Sequence, residues 1–333
     1  MNQVKHIAII GAGISGLACA SALNDAGYRV TVFEKSKGVS GRLSTRVTKH
    51  WQCDHGAQYF TADDSRFALE VKRWQQAGVA DLWQPRLQVS DGLNFSEKPS
   101  TKNRYIGVPG NNSPAKFLAQ RLNIQANTTI NKIERHANKW QLISTEQGIN
   151  SQLFDALILA IPAPQAQVLL IERAPAFATL ASSVKMRGCW TLMCQYNNQL
   201  KLPFDGLFIN NNLLSWIARD SLKKGRTCGT NTNHINQTET WVLHAESEWS
   251  EAHIEDAPDD VASLMLDAFV HLGGEVPAAF TAHRWRYADC LDYLDIGYAW
   301  DNDLQLGLCG DWLNGGKVQG AWLSGHLLAH KII

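Results

Sequence analysis

The chain opens with a short, unbroken apolar run, His6–Ile10, that enters Gly11-Ala12-Gly13-Ile14-Ser15-Gly16. A run without polar alternation is what a parallel strand buried on both faces requires. Leu17–Ala26 reads as a helix rich in small residues, with Gly27 as its C-cap. Arg29–Phe33 is a second apolar strand, ending at Glu34. This strand–helix–strand order is that of a doubly wound sheet. Ser65–Leu82 reads as an amphipathic helix with Phe67, Val71, Trp74 and Val79 as its core stripe. Pro114–Leu122 reads as a helix with Ser113 as N-cap. Asn127–Arg135 and Lys139–Ser144 look like paired strands, and Leu153–Ile161 like a buried one closed by Pro162 and Pro164.

From about Phe177 to Cys290 the pattern changes. Trp190–Tyr196, Leu213–Arg219 and Trp241–Glu246 are richer in aromatics and more alternating, as in an antiparallel sheet, with a helix near Asp259–Leu272. Leu304–Gly310 returns to a buried strand, and a last helix is expected from about Gly320 to His330.

Composition narrows the classes. The 333 residues carry 31 basic and 31 acidic side chains, so the net charge is zero and no basic field for nucleic acid is present. No stretch is long and apolar enough for a membrane span without charge or Gly breaks. Lys5 and the run after it superficially resemble a signal peptide, but Gly11, Gly13 and Gly16 fit a nucleotide-binding turn better. Seven scattered cysteines without a CxxC pair point to reduced thiols, a cytoplasmic setting and no zinc site. His326 and His330 share a helix face, but no third ligand is placed, so no metal is expected. Of twelve Trp, eight lie from Trp190 onward. Most are expected to pack, and some to line a ligand pocket.

The glycine turn carries the chemistry. Gly11 permits the tight turn, Gly13 lets the backbone approach a pyrophosphate, and Gly16 lets the helix pack close to the sheet. The helix N-terminus offers N–H groups to phosphate. Glu34, 23 positions after Gly11, can accept from ribose hydroxyls. Arg42, in a loop with Gly38 and Gly41, can pair with phosphate oxygens.

These residues, with Gly310-Asp311 before a C-terminal helix, resemble the FAD-binding domain of the flavin amine oxidase superfamily. Within it the renalase-like enzymes are the nearest likeness. The markers are KGVSGRLSTR (Lys37–Arg46), DHGAQYFT (Asp54–Thr61), ALILAIPAPQA (Ala156–Ala166), HRWRYA (His283–Ala288) and GDWLNGGKVQGAWLSG (Gly310–Gly325). One departure is Ser40, where the family has Gly; Ser40 fits if its φ is negative. The resemblance implies an α/β fold: a Rossmann-like doubly wound FAD-binding domain of residues 1–62, 105–175 and 291–333, and an α+β substrate domain of residues 63–104 and 176–290 on an antiparallel sheet. It implies FAD contacts at Ser15, Glu34, Arg42, Gln58 and Tyr59, with Gly11, Ala12, Gly13 and Gly16 in the turn and Lys35 and Gly41 beside it. Ile130 falls at an adenine contact and Asp311 at a ribityl or pyrophosphate contact. Val318 and Gly320 fall at the helix start facing the flavin edge.

The activity implied is oxidation of mis-reduced 2- and 6-dihydro isomers of NAD(P)H to NAD(P)+, with O2 reduced to hydrogen peroxide. FAD is expected to be noncovalent, since no tethering Cys or His is identifiable. His244 is a candidate substrate contact, or equally a structural strand histidine. Trp285 and Arg286, then Trp249 and Tyr287, are further candidates to stack on a nicotinamide or meet its oxygen, against the alternative of core packing. His55 alone reads more readily as structural. Alternatives are an amine oxidase or desaturase, though neither Lys185 nor Lys317 is placed at the flavin, or a non-enzymatic escort protein.

Overall fold

The computed structural model describes residues 5–92, 94–97, 102–226 and 239–333; Cys228 lies outside them. Strand β1 (His6–Ile10), helix α1 (Ile14–Asp25) and strand β2 (Arg29–Phe33) form the expected unit. All five residues of β1 are buried, which is why its sequence carries no alternation. The sheet around it runs Ala299–Asp301, Leu306–Leu308, Ala156–Leu159, β1, β2, Asn123–Gln125. Every pair is parallel except the edge strand Ala299–Asp301. β1 is central, with Ile7 opposite Val30 on one side and Ala156 on the other.

The expected strand Leu153–Ile161 is divided at Asp155. Gly148–Phe154 completes a three-stranded antiparallel meander with Ile130–His136 and Lys139–Ser144, and Ala156–Leu159 enters the parallel sheet. Asp155 makes the switch by accepting from the His6 N–H at 2.7 Å and pairing with Lys139 at 2.9 Å. The helix expected to reach Leu82 ends at Gln76. Gly78, with φ of 72°, turns the chain, so Val79 leaves the stripe and Ala80–Trp83 is a strand. Phe67, Val71 and Trp74 are the buried face as expected. Ser113 is the first residue of its helix, Ser113–Ala119, and not its cap.

A second sheet of seven strands runs Ala279–Cys290, Met186–Tyr196, Glu239–Ala245, Leu214–Arg219, Gly206–Ile209, Leu87–Ser90, Phe95–Glu97. It is antiparallel except where Gly206–Ile209 meets Leu87–Ser90. One face packs on helix Pro258–His271 through Leu192, Leu243, Val261 and Phe269. The other carries Met193, Trp216, Ala218 and Val242 toward Cys53 and Trp83. The C-terminal helix, Lys317–Ile332, begins three residues before its expected start and lies along α1, where Gly325 meets the Ser15 backbone. No helix among the described residues is long and apolar enough to cross a membrane.

Candidate functional site

The glycine turn is built as its spacing requires. Gly11 has φ of 104°, and a Cβ there would stand 2.5 Å from the Ala160 oxygen. A Cβ on Gly16 would stand 2.1 Å from the Gly11 oxygen, so only glycine lets α1 start this close to β1. Gly13 differs: a Cβ there would meet nothing within 4 Å. α1 starts at Gly13 with no side-chain cap and no acidic residue in its first turn. Its N–H groups and positive dipole end are open to an anion. The Ser15 hydroxyl is buried there with no hydrogen-bond partner. An open glycine, an uncapped helix and an orphaned hydroxyl fit a dinucleotide pyrophosphate.

Glu34 braces the turn, accepting from the Ala12 and Ser36 N–H groups, each at 2.8 Å. Lys35, beside it, is exposed. Ser40 pairs with Gly13 across an isolated bridge. The expectation of a negative φ at Ser40 is corrected: φ is 113°, so serine holds a glycine conformation, with Gly41 at 54° next to it. Arg42 does not stand alone. It donates to both oxygens of Asp311, at 2.9 and 2.5 Å, and to the Ala288 carbonyl at 3.1 Å. Burial disfavours its charge, but Asp311 outweighs this and raises its pKa. The pair joins the cradle to the second sheet, because Ala288 lies in Ala279–Cys290. Ile130 is buried on the wall of a cavity of about 210 Å³ shared with Phe33 and Thr128. Val318 and Gly320 are buried in the first turn of the C-terminal helix, where a Cβ on Gly320 would stand 1.9 Å from the Asn314 oxygen.

Gln58 and Tyr59 lead away from the cradle. The Gln58 amide donates to the Asp54 and Gly56 carbonyls, and its oxygen accepts from the Lys223 ammonium at 3.1 Å. The Tyr59 ring lies 5.8 Å from both Trp83 and Trp216, with Arg104 over it. Lys223 belongs to a wholly buried charge cluster that sequence reasoning missed. It pairs with Asp54 at 3.1 Å and Asp220 at 2.8 Å, and Arg226 pairs with the same two acids. Thr45 donates to Asp54 at 2.6 Å. Burial would push the Asp54 carboxyl up, but Lys223 and Arg226 bring it down to about 2. Burial and the neighbouring Asp54 charge raise Asp220. Charged residues read as surface, so nothing in the sequence marked Lys223 or Arg226 as interior.

The second missed feature is a group of histidines. His55 stacks on Trp285 at 5.2 Å and meets His283 edge-on at 4.8 Å; His283 and Trp285 are 4.5 Å apart. The Trp285 indole donates to the His55 carbonyl at 2.9 Å. His244 lies near, its Nε2 buried without a partner. Burial first, then nearby positive charge, holds all three histidines neutral: His55 at about 3, His244 and His283 at about 4. The His55 segment runs beside the cradle, with the Ala57 N–H donating to the Arg42 carbonyl at 2.9 Å. The structure thus brings His244 and Trp285 together. It sends Arg286, one residue on, to the opposite side of the strand. Arg286 is exposed there and pairs with Glu255 at 2.5 Å. Trp249 packs against the helix-covered face of the second sheet, and Tyr287 against the core beneath the parallel sheet. His326 and His330 touch edge-on, and no metal-holding cluster is present among the described residues. The six described cysteines are free thiols.

A glycine-lined nucleotide cradle on a parallel sheet, with a second sheet laid against it, defines a Rossmann-like nucleotide-binding protein. Residues 9–71 match the model of an NAD(P)-binding Rossmann-like domain, and residues 92–333 that of flavin containing amine oxidoreductase. The chain belongs to the flavin containing amine oxidoreductase family, and its cofactor is FAD. Among curated relatives, it is 41% identical over 74 residues to an L-amino-acid oxidase of Siganus canaliculatus, covering 22% of this chain and 14% of that protein. It is 44% identical over 158 residues to an L-amino-acid oxidase of Sistrurus catenatus edwardsii, covering 43% and 31%. The matches thus span under a third of those relatives' lengths. Among solved structures, a candidate protoporphyrinogen oxidase from Exiguobacterium sp. 255-15 superposes with a TM-score of 0.76 at 12% identity, covering 99% of both chains. Wild-type putrescine oxidase bound to putrescine gives 0.68 at 13%, again covering 99% of both. At these identities the likeness is one of fold.

Proposed function

We propose that the protein is an FAD-dependent oxidase that converts mis-reduced 2- and 6-dihydro isomers of NAD(P)H to NAD(P)+ and passes the electrons to O2, giving hydrogen peroxide. FAD, when bound, supplies the hydride acceptor and the route to O2. The chain's residues bind and orient. Ser15 and the α1 N-terminus would hold the pyrophosphate, Glu34 the ribose side, and Arg42 with Asp311 the path toward the flavin. The N-terminus of the C-terminal helix would face the flavin edge. Residues 1–62, 105–175 and 291–333 would form the FAD-binding part, and residues 63–104 and 176–290 the substrate part. No covalent tether is expected, so denaturation should release the flavin.

The observation that carries this reading is the neutral histidine group beside the cradle. A dihydronicotinamide gives up a hydride without losing a proton from carbon, so the site needs no charged base. It needs a flat ring surface, offered by Trp285, and uncharged hydrogen-bonding groups, offered by His244 and its neighbours. A second reading, oxidation of a small amine, is favoured by the relatives' names and by the aromatic set Tyr59, Trp83 and Trp216. Anaerobic mixing of the FAD-loaded protein with 6-dihydro-NAD and with a panel of amines and amino acids separates the two. Bleaching of the flavin by the dihydro isomer is expected. Bleaching by the amines alone would replace the first reading with the second.

A further inference from the structure

Directly opposed residues on antiparallel strands point to the same face of a sheet. Thr191 is opposite His283 on one side and His244 on the other, and His244 is opposite Trp216. Four neighbouring strands therefore line up His283, Thr191, His244 and Trp216 on the face that meets Tyr59 and Trp83. His55 stands over this row, its ring 4.8 Å from His283.

The row is buried, yet it is polar and unsatisfied. His244 Nε2, Trp216 Nε1 and His55 Nδ1 are all buried without a hydrogen-bond partner, and the buried Thr191 hydroxyl has only the weakly polar Cys189 thiol against it. Buried polar side chains are almost always partnered, so three orphans and one weakly held hydroxyl in one patch mark groups kept for a ligand. The patch carries no charge of its own. Burial keeps the three imidazoles neutral, and Arg46 beside His55 and His283, with Lys223 beside His244, reinforces this. Asp54, next to His55, acts in the opposite sense, but it is already paired with Lys223 and Arg226, so a cationic ligand would meet Arg46 and no free carboxylate in the row. A threonine hydroxyl and a neutral imidazole can each donate or accept, which matches an amide, itself both donor and acceptor.

We propose that the row His283, Thr191, His244 and Trp216, with His55 above it, recognises the uncharged carboxamide of a nicotinamide ring and rejects a protonated amine. This rests on the proposed function and assigns specificity roles to Thr191, His283 and His55. The test is a titration of the FAD-loaded protein with nicotinamide, nicotinate and 3-picolylamine, followed by flavin absorbance and calorimetry. Nicotinamide should bind saturably, and the anionic and cationic analogues at least about tenfold more weakly. Thr191→Val and His283→Phe should each weaken nicotinamide about five- to tenfold, the worth of one hydrogen bond, while retaining flavin. Should either variant fail to fold, the unaltered protein still decides. The His55 and His283 ring signals in its NMR spectrum should move with nicotinamide and stay fixed with 3-picolylamine. Equal binding of all three analogues, tighter nicotinate, unmoved affinity in both variants, or no saturable binding would overturn the assignment. None of these readouts needs hydride transfer. Nicotinamide bound in the expected order, without bleaching by the dihydro isomer, would overturn the proposed function alone. Bleaching that is indifferent to Thr191 and His283 would overturn this assignment alone.

Discussion

Ser15 and Ser40 are two small residues at one turn with opposite accounts. The Ser15 hydroxyl has no partner within the protein, so the fold does not use it. Ser15→Ala should leave the melting of FAD-free protein within about 0.5 kcal/mol of the parent. The same change should weaken FAD about five- to tenfold, read by fluorescence titration. A destabilised apoprotein with unchanged FAD affinity would place the hydroxyl in the fold instead. Ser40 holds a φ of 113°, where a Cβ is strained. Ser40→Gly should stabilise by about 1 kcal/mol, seen as a higher thermal midpoint, because the strain relieved exceeds the added chain entropy. The sign of this φ was not legible from the neighbouring Gly41. It depends on the loop having to pair with Gly13, a contact distant in sequence.

At the scale of elements, the β1–α1–β2 unit was legible because all its constraints are local: apolar run, glycine spacing, acidic end. The way α1 meets the C-terminal helix was not. Gly325 enters the sequence reading only as the end of the Gly310–Gly325 marker, with no packing role, yet a Cβ there would stand 1.9 Å from the Ser15 carbonyl oxygen and 2.8 Å from its carbon. Backbone cannot yield as a side chain can, so the helices would have to part. Gly325→Ala should cost more than about 2 kcal/mol of stability and weaken FAD as well, since both helices begin at the cradle. Measured denaturation midpoints and FAD affinity check this; an unchanged pair of values would show that the helices slide freely. The histidine row was illegible for a similar reason. His55, Thr191, His244 and His283 are far apart in sequence, and only strand register brings them together. His244 and Trp285 could be singled out beforehand, whereas Arg286 shared their motif but points away by strand parity.

Across the whole molecule, the buried ions tie its parts together. Asp54 follows the cofactor loop, Asp220, Lys223 and Arg226 lie beyond the second sheet's Leu214–Arg219, and Arg226 also donates to the carbonyls of Gly107 and Pro109. Lys223→Met would leave two acids facing Arg226 alone. A loss of about 3–5 kcal/mol is expected, the usual result of removing one partner from a buried ion group. The same assembly sets the response to pH. His55, His244 and His283 have pKa values lowered by burial to between about 3 and about 4, from an ordinary 6.5. Below pH 6.5 the unfolded chain takes up protons that the folded chain refuses, so stability is full above that pH and is lost as pH falls toward 4. Asp54 acts in the same direction lower down, losing its contribution between 3.8 and about 2. Asp220, raised by burial and Asp54, opposes this, because acid relieves its buried charge. The histidines outnumber it in the window from pH 6.5 to 5, so the thermal midpoint should fall there. His283→Phe should flatten the fall, whereas Lys223→Met, by removing a cation that helps keep His244 neutral, should shift its titration upward. A midpoint independent of pH between 7 and 5 in the parent protein would mean that these imidazoles are not held neutral.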